Sequence, residues 1–248
     1  MKIGIIGAMH EEVMLLKEKL THVKHSQRGA RTYYEGTYAN HDVVLCLSGW
    51  GKSAAAATTS CLIEVFEVEL ILFVGLAGSL QSHVKIGDIV IGNELTQHDM
   101  DLREFSMLGA ILPPFYRSYR FKTSERMLNL AKKSTDEFQL KLQANSLTEI
   151  NQSYSPNIHV GEIGTGDQFV SSEKMKQHII AKYPALLCTE MEGAAIAQIA
   201  HDSQVEFLII RVISDNAADE AHSTFTKFLF NDIGHISVEI LQLLLKNL

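Results

Sequence analysis

The sequence predicts an α/β fold in which a mixed, largely buried sheet carries helices on both sides. Three observations predict it. Short β-branched runs alternate with helical patterns along the chain, which is how strand–helix–strand units read. One run, LILFVGLAG (70–78), is continuously apolar, as a strand buried on both faces must be. Two further runs, RTYYEGTYA (31–39) and DVVLCLSG (42–49), are joined only by Asn40 and His41. That tight connection makes a hairpin, and so an antiparallel part of the sheet.

The other elements follow in order. KIGIIG (2–7) reads as a buried strand and HEEVMLLKEKL (10–20) as a helix. After the hairpin, GKSAAAATTSCLIEVF (51–66) is a helix rich in small residues, and DIVIGNELTQHD (88–99) follows the 70–78 strand as another strand. Residues 100–123 hold aromatics and Pro113–Pro114 without a clear period, so they read as an excursion with some helix. Ser124 caps a helix to about Glu137. NIHVGEIGTGDQFV (157–170) is a strand ending in a glycine loop, and SSEKMKQHIIAKY (171–183) opens on a Ser-Ser-Glu cap as a helix. A strand 185–190, a helix 192–203, a strand 205–213 and a last helix at about 224–246 complete the chain. The last helix places Phe225, Phe228, Ile236, Ile240, Leu243 and Leu244 on one stripe. No stretch reads as a linker or repeat, so residues 1–248 are expected to form a single domain.

Composition narrows the function. With 46% hydrophobic and 21% charged residues, the chain can bury a core without staples. A net charge of −7 argues against nucleic acid, whose backbone needs clustered Lys and Arg. A small-molecule partner is expected instead. Cys46, Cys61 and Cys188 lie far apart in apolar surroundings and read as buried thiols in a reducing compartment. The N-terminal apolar run is too short for a signal peptide, since His10, Glu11 and Glu12 follow at once. No run approaches the ~18 apolar residues of a membrane span. A soluble, cytoplasmic protein without membrane contact is expected.

Several stretches could carry chemistry, each with a plain structural alternative. GlyTrpGlyLysSer (49–53) ends like a phosphate-binding P-loop, but Cys46 stands where that motif needs glycine. It reads as a strand-to-helix turn that could line a pocket, with Trp50 as wall. GlyIleIleGlyAlaMet (4–9) is not a dinucleotide fingerprint. The helix dipole accounts for one of Glu11 and Glu12, and the other could face a cleft at the strand's end. HisAspMetAsp (98–101) reads as a loop with solvated acids, so no metal is assigned. In ArgValIleSerAsp (211–215), Asp215 is either a helix cap or a ligand-facing acid, and Arg211 needs a carboxylate or a ligand if buried. GlyThrGlyAspGlnPheVal (164–170) is a turn, or a loop whose Phe169 stacks on a flat ligand.

Glu12, Phe169, Glu192 and Asp215 each lie at the end of a separate buried strand. Convergent carboxylates without a cofactor motif suit acid–base chemistry on a neutral, hydroxyl-bearing substrate. Cleavage at a sugar's anomeric carbon fits: one acid protonates the leaving group, one base activates water, and a third carboxylate holds hydroxyls.

GlyAlaMetHisGluGlu (7–12), SerGlyTrpGlyLys (48–52), GlyLeuAlaGlySerLeu (75–80), GlyAspGlnPhe (166–169), GluMetGluGlyAla (190–194) and ArgValIleSerAsp (211–215) come in one order and spacing. In these the chain resembles the nucleoside phosphorylase superfamily, and more closely the bacterial 5′-methylthioadenosine/S-adenosylhomocysteine nucleosidases, nearly end to end. The resemblance implies a three-layer αβα domain with a partly barrel-like central sheet. It also implies a homodimer without cofactor. Hydrolysis of 5′-substituted adenosines is the implied reaction, in which Glu12 activates water, Asp215 protonates purine N7 with Ser214 orienting it, and Glu192 holds the ribose hydroxyls beside the Met191 backbone. Phe169 would stack on adenine and the Val170 backbone read its edge. Met9 would pack near the ribose, and Trp50 and Phe225 near the 5′ group, with Arg211 among the substrate-binding residues. The neighbouring subunit would close the 5′ pocket with Leu102, Phe105, Met107 and Pro113. The family's phosphorylases hold phosphate with arginines on the first loops, and here Glu12 would repel it, so water is the expected nucleophile. Two departures stand out: Leu76 replaces the family's usual Ser near the nucleophile, and Trp50 replaces a smaller apolar residue. Three other readings remain open: a phosphate-dependent purine nucleoside phosphorylase, an aminodeoxyfutalosine hydrolase, and a nucleoside-binding module of weak activity.

Overall fold

A computed structural model describes residues 1–7, 10–100, 120–218, 221 and 233–248, without the side chains of 11, 12 and 233. Met9, Leu102, Phe105, Met107, Pro113, Phe225, Phe228 and the Glu12 side chain lie outside the described residues. The elements are β1 (Lys2–Gly7), α1 (His10–Lys19), β2 (Thr21–Arg28), β3 (Arg31–Tyr38), β4 (His41–Leu47), α2 (Lys52–Glu64), β5 (Leu70–Ser79) and β6 (Ile89–Gln97). They continue with β7 (Arg120–Lys122), α3 (Glu125–Gln143), β8 (Ile158–Thr165), α4 (Glu173–Lys182), β9 (Leu186–Glu190), α5 (Gly193–Asp202), β10 (Glu206–Asp215) and α6 (Ile233–Asn247).

One mixed sheet organises them. Strand β10 pairs with both β6 and β5, so β5, β10, β6, β8 and β9 close into a ring. This is the barrel-like part. Strands β1, β4, β3 and β2 fan out from β5 as an open extension. The handover occurs on one edge of β5, where β1 covers Leu70–Val74 and β9 takes Gly78–Ser79.

The central strands are apolar throughout because both of their faces are covered. Successive side chains on a strand point to opposite faces. Accordingly Leu70, Leu72 and Val74 pack toward α1, α3 and α6 with Leu208, Ile210 and Val212. Ile71 and Phe73 pack toward α2 and α5 with Ile209 and Ile213. Burying each such side chain contributes on the order of 1.5–3 kcal/mol. The small residues of α2 and α5 let these helices lie close, with Ala55 and Leu62 facing Ala194, Ala197 and Ala200.

The structure corrects several boundaries. Strand β2 is absent from the sequence reading because THVKHSQR is a solvated edge with no apolar alternation. Strand β7 falls in the stretch read as an excursion with some helix. Helix α3 runs on from Glu137 to Gln143 because Phe138 continues its buried face. The hairpin turns on Ala39 and Asn40, both at positive φ, and not on Asn40 and His41. Two positive φ values match the twist of a two-residue hairpin loop. Cys61 is only half-buried, because α2 turns Thr58, Thr59 and Leu62 inward instead.

Candidate active site

Strand register gathers the site. Asp215 stands opposite Gly78, Gly78 opposite Thr189, and Glu190 opposite Thr165. The C-terminal ends of β5, β8, β9 and β10 therefore meet at one place. A register shift between Ile213 and Asp215 marks a bulge, which re-aims the last side chain of β10. A Cβ on Gly78 would lie 2.7 Å from Asp215 Oδ1, so only glycine lets the carboxylate sit against β5.

Asp215 is 3% exposed. The Ala217 amide donates to its Oδ1 at 2.8 Å and the Ser214 hydroxyl to its Oδ2 at 2.8 Å. Burial raises its pKa, and outweighs the Ala217 amide, the Ser214 hydroxyl and the Lys176 charge, which pull it down. A carboxyl that keeps its proton beyond the ordinary range suits a proton donor.

The two glutamates after β9 have different surroundings. Glu190 Oε2 accepts from the Glu192 amide at 3.0 Å, the Gly193 amide at 2.7 Å and Arg211 Nη2. Its Oε1 accepts from the Thr165 hydroxyl, whose oxygen accepts from the Ala194 amide at 2.8 Å. The open amides of the first turn of α5 are thus satisfied from outside the helix, since its N-cap, Glu192, makes no side-chain cap bond. Glu190 is committed to structure.

Glu192 is the freer one. Its Oε1 accepts from the Gly51 amide at 2.9 Å, and its Oε2 lies 3.7 Å from Arg211 Nη2. Its pKa is pushed up to about 7. Burial is the main cause, followed by the charge of Glu190; Arg211 and the amides of Gly51 and Met191 oppose them.

Arg211 does not line the cavity. It is fully buried beneath the glutamates, with its guanidinium carbon 4.0 Å from the centre of the Phe73 ring. Of the two partners its sequence position allowed, the structure supplies the carboxylates. Its strand parity explains this: Arg211 shares the inward face of Ile209 and Ile213.

A narrow cavity opens between Gly78, Phe169, Val170, Glu190, Met191 and Asp215. Phe169 stands at the rim, 41% exposed, while Val170 is buried. A roomier cavity of about 400 Å³ lies alongside, between His98, Asp99 and helix α4. Its one carboxylate, Asp99, already has both oxygens engaged, so the acid chemistry belongs to the narrow cavity. None of the described residues lining that narrow cavity is basic.

Of the remaining expected residues, Trp50 projects outward at 76% exposure. Leu76 is half-buried and packs toward the core shared by α1, α3 and α6. The structure brings together Asp215, Ser214, Phe169, Val170 and Met191, with Glu192 beside them and Arg211 behind. Thr165 was missed from sequence, where a threonine ending a strand carries no signal. The Gly51 amide was missed too, although the glycines of its turn, at positive φ, mark an unusual backbone. His98 of the HisAspMetAsp stretch is buried against Gly166 and 3.2 Å from the Thr189 hydroxyl.

A phosphorylase superfamily model matches residues 2–248. The chain is 37% identical over 231 residues to a 5′-methylthioadenosine/S-adenosylhomocysteine nucleosidase of Colwellia psychrerythraea, covering 92% of this chain and 89% of that one. It superimposes with a TM-score of 0.87 and 32% identity on the corresponding nucleosidase of Neisseria meningitidis in complex with methylthio-immucillin-A, covering 100% of this chain and 99% of that one. A futalosine hydrolase of Helicobacter pylori gives a TM-score of 0.84 at 31% identity, over 100% of this chain and 98% of that one.

Proposed function

Because the chain belongs to the phosphorylase superfamily, and within it to the 5′-methylthioadenosine/S-adenosylhomocysteine nucleosidases, we propose that it hydrolyses 5′-substituted adenosines to adenine and a thioribose. The observation that carries the reading is a buried acid, Asp215, held by Ser214 at the end of a cavity whose described walls carry no positive charge. Such a site favours a neutral purine nucleoside and gives an attacking phosphate no counter-charge.

Adenine stacks on Phe169 and meets the Val170 backbone. Asp215 gives its proton to N7, so the base departs neutral. The ribose keeps its hydroxyls on Glu192, and the positive charge that grows at the anomeric carbon faces that carboxylate. Water attacks the same carbon and gives its proton to Glu12. Met9, Trp50 and Phe225 surround the 5′ group, and in a homodimer Leu102, Phe105, Met107 and Pro113 of the second copy close it. Residues 1–248 act as one unit, in the cytoplasm, where three unpaired thiols stay reduced.

The test is to incubate the protein with methylthioadenosine, with and without phosphate, and follow adenine and sugar. Free methylthioribose without phosphate is the expected product. Sugar phosphate would assign a phosphorylase, and binding without product a nucleoside sensor. Faster release of adenine from aminodeoxyfutalosine would assign the aminodeoxyfutalosine hydrolase reading instead.

A further inference from the structure

The two loops that flank the proposed substrate are tied together by residues that do not line the narrow cavity. Helix α2 begins after Gly51, which has no side chain with which to cap it. Asp167, from the loop after β8, caps it instead: the Lys52 amide donates to Asp167 Oδ1 at 2.8 Å. The Asp167 amide in turn donates to Asp99 Oδ2 at 2.9 Å, and Lys52 Nζ donates to Asp99 Oδ1 at 2.6 Å. Three bonds thus close a cycle through the end of β6, the loop after β8 and the start of α2. The fit is close, because a Cβ on Gly51, whose φ is +88°, would lie 2.9 Å from Asp167 Oδ1.

The neighbours of this cycle are the groups assigned to substrate. The Gly51 amide, one residue before Lys52, donates to Glu192 Oε1. Phe169 lies two residues beyond Asp167. We propose that Lys52, Asp99 and Asp167 form a clasp that positions the Gly51 amide on Glu192 and Phe169 over the purine. The inference deepens the nucleoside reading and rests on it.

The clasp is not chiefly a source of stability. The Lys52 and Asp99 side chains are 19% and 28% exposed, and partly solvated pairs contribute little. Its effect is geometric, and small displacements of binding groups are costly in rate. Burial favours the neutral form of Asp99, but Lys52 and the Asp167 amide outweigh it and hold the pKa below the usual carboxylate range. The clasp therefore persists at neutral pH.

The test compares Lys52→Met, Asp99→Asn, the double variant and Lys52→Arg in the full chain. Kd for adenine is expected to rise about tenfold or more in either single variant, as Phe169 shifts, and kcat/KM for methylthioadenosine to fall by about 10²-fold, as Glu192 shifts with it. The double variant is expected to match the worse single one, because both break one cycle. Lys52→Arg restores most of the affinity, and melting temperatures stay near wild type. Trp50, the only tryptophan, sits in the clasped loop, so its fluorescence anisotropy falls when the clasp opens. Unchanged adenine affinity and anisotropy in a folded Lys52→Met, or additive effects in the double variant, overturn the clasp. If Lys52→Met does not fold, the same outcomes are read from Asp99→Asn. Should the wild type not cleave methylthioadenosine, the nucleosidase reading fails alone, and adenine Kd and Trp50 anisotropy still decide the clasp.

Discussion

Replacing Arg211 by Met removes the counter-charge of the candidate site while roughly conserving volume. The side chains of Arg211, Glu190 and Glu192 are 0%, 2% and 7% exposed, so bulk solvent screens them little. Removing one partner of a buried ion pair costs about 3–5 kcal/mol, because the remaining charge stays buried and unpaired. Glu192 feels the loss as well. At 3.7 Å and an effective dielectric near 20, Arg211 favours its ionised form by about 4.5 kcal/mol at most, or roughly three pKa units. Water entering the gap reduces that figure, but a carboxyl already at about 7 moves well above neutrality.

The pH dependence follows from the sign. A folded-state pKa raised above the unfolded value contributes stability that is present at low pH and lost as pH rises through the folded pKa. Wild-type Glu192 releases its proton near 7, so its loss levels off there. In Arg211→Met the loss continues upward at about 1.4 kcal/mol per pH unit. Urea melts of both proteins at pH 6, 7 and 8.5 are expected to show a gap of about 3–5 kcal/mol that widens by about 2 kcal/mol above pH 7. The acid limb of kcat/KM is expected to move up by at least about one unit, since the proposed ribose contact uses the ionised carboxylate. A gap that is flat or narrowing above pH 7, with an unmoved acid limb, would refute the coupling of Arg211 to Glu192.

Asp215→Asn keeps the shape of the acid but cannot deliver a proton, so kcat for adenine release is expected to fall by about 10²–10⁴-fold with little change in KM. The alkaline limb set by the raised Asp215 pKa is expected to vanish with it, in a pH series of initial rates. Thr165→Val removes both the donor to Glu190 and the acceptor for the Ala194 amide, at about 1–3 kcal/mol. Calorimetry is expected to show a melting temperature several degrees lower, largely restored by Thr165→Ser.

How much of this could be read from the sequence depended on whether the signal was local. Leu70–Val74 and Phe207–Ile210 announce buried strands, because burial on both faces demands an unbroken apolar run. Thr21–Arg28 announces nothing, because an edge strand bonded on one side tolerates any polar sequence. Ring closure is invisible for another reason: that β10 pairs with both β5 and β6 leaves no trace in either run. The acids sort in the same way. Asp215 could be singled out because a carboxylate ending an apolar strand is costly without a role. Glu190 and Glu192 could not be ranked by spacing alone, because what separates them is Thr165 and Arg211, distant in the chain. Asp99 reads as a solvated acid, and Lys52 and Asp167 as members of glycine-rich turns; only their shared hydrogen bonds set them apart.

The electrostatics of the candidate site can be read as a sum with one charge left over. Glu190 and Arg211 neutralise each other in the dry interior, and burial shifts Asp215 toward its neutral form. Glu192 remains, poorly solvated and with its pKa raised to about 7 chiefly by burial. That is a cost in the resting protein. In the proposed mechanism positive charge appears on the sugar held beside Glu192 when the glycosidic bond breaks, and a carboxylate that lacks water gains more from a nearby cation than a hydrated one does. The desolvation that disfavours the free anion thus becomes stabilisation of the transition state, which is the interaction that raises the rate and not merely the affinity. Arg211 tunes this balance: at 3.7 Å it offsets the repulsion from Glu190 enough to keep Glu192 ionisable near neutrality, without the closer pairing that would cancel its charge.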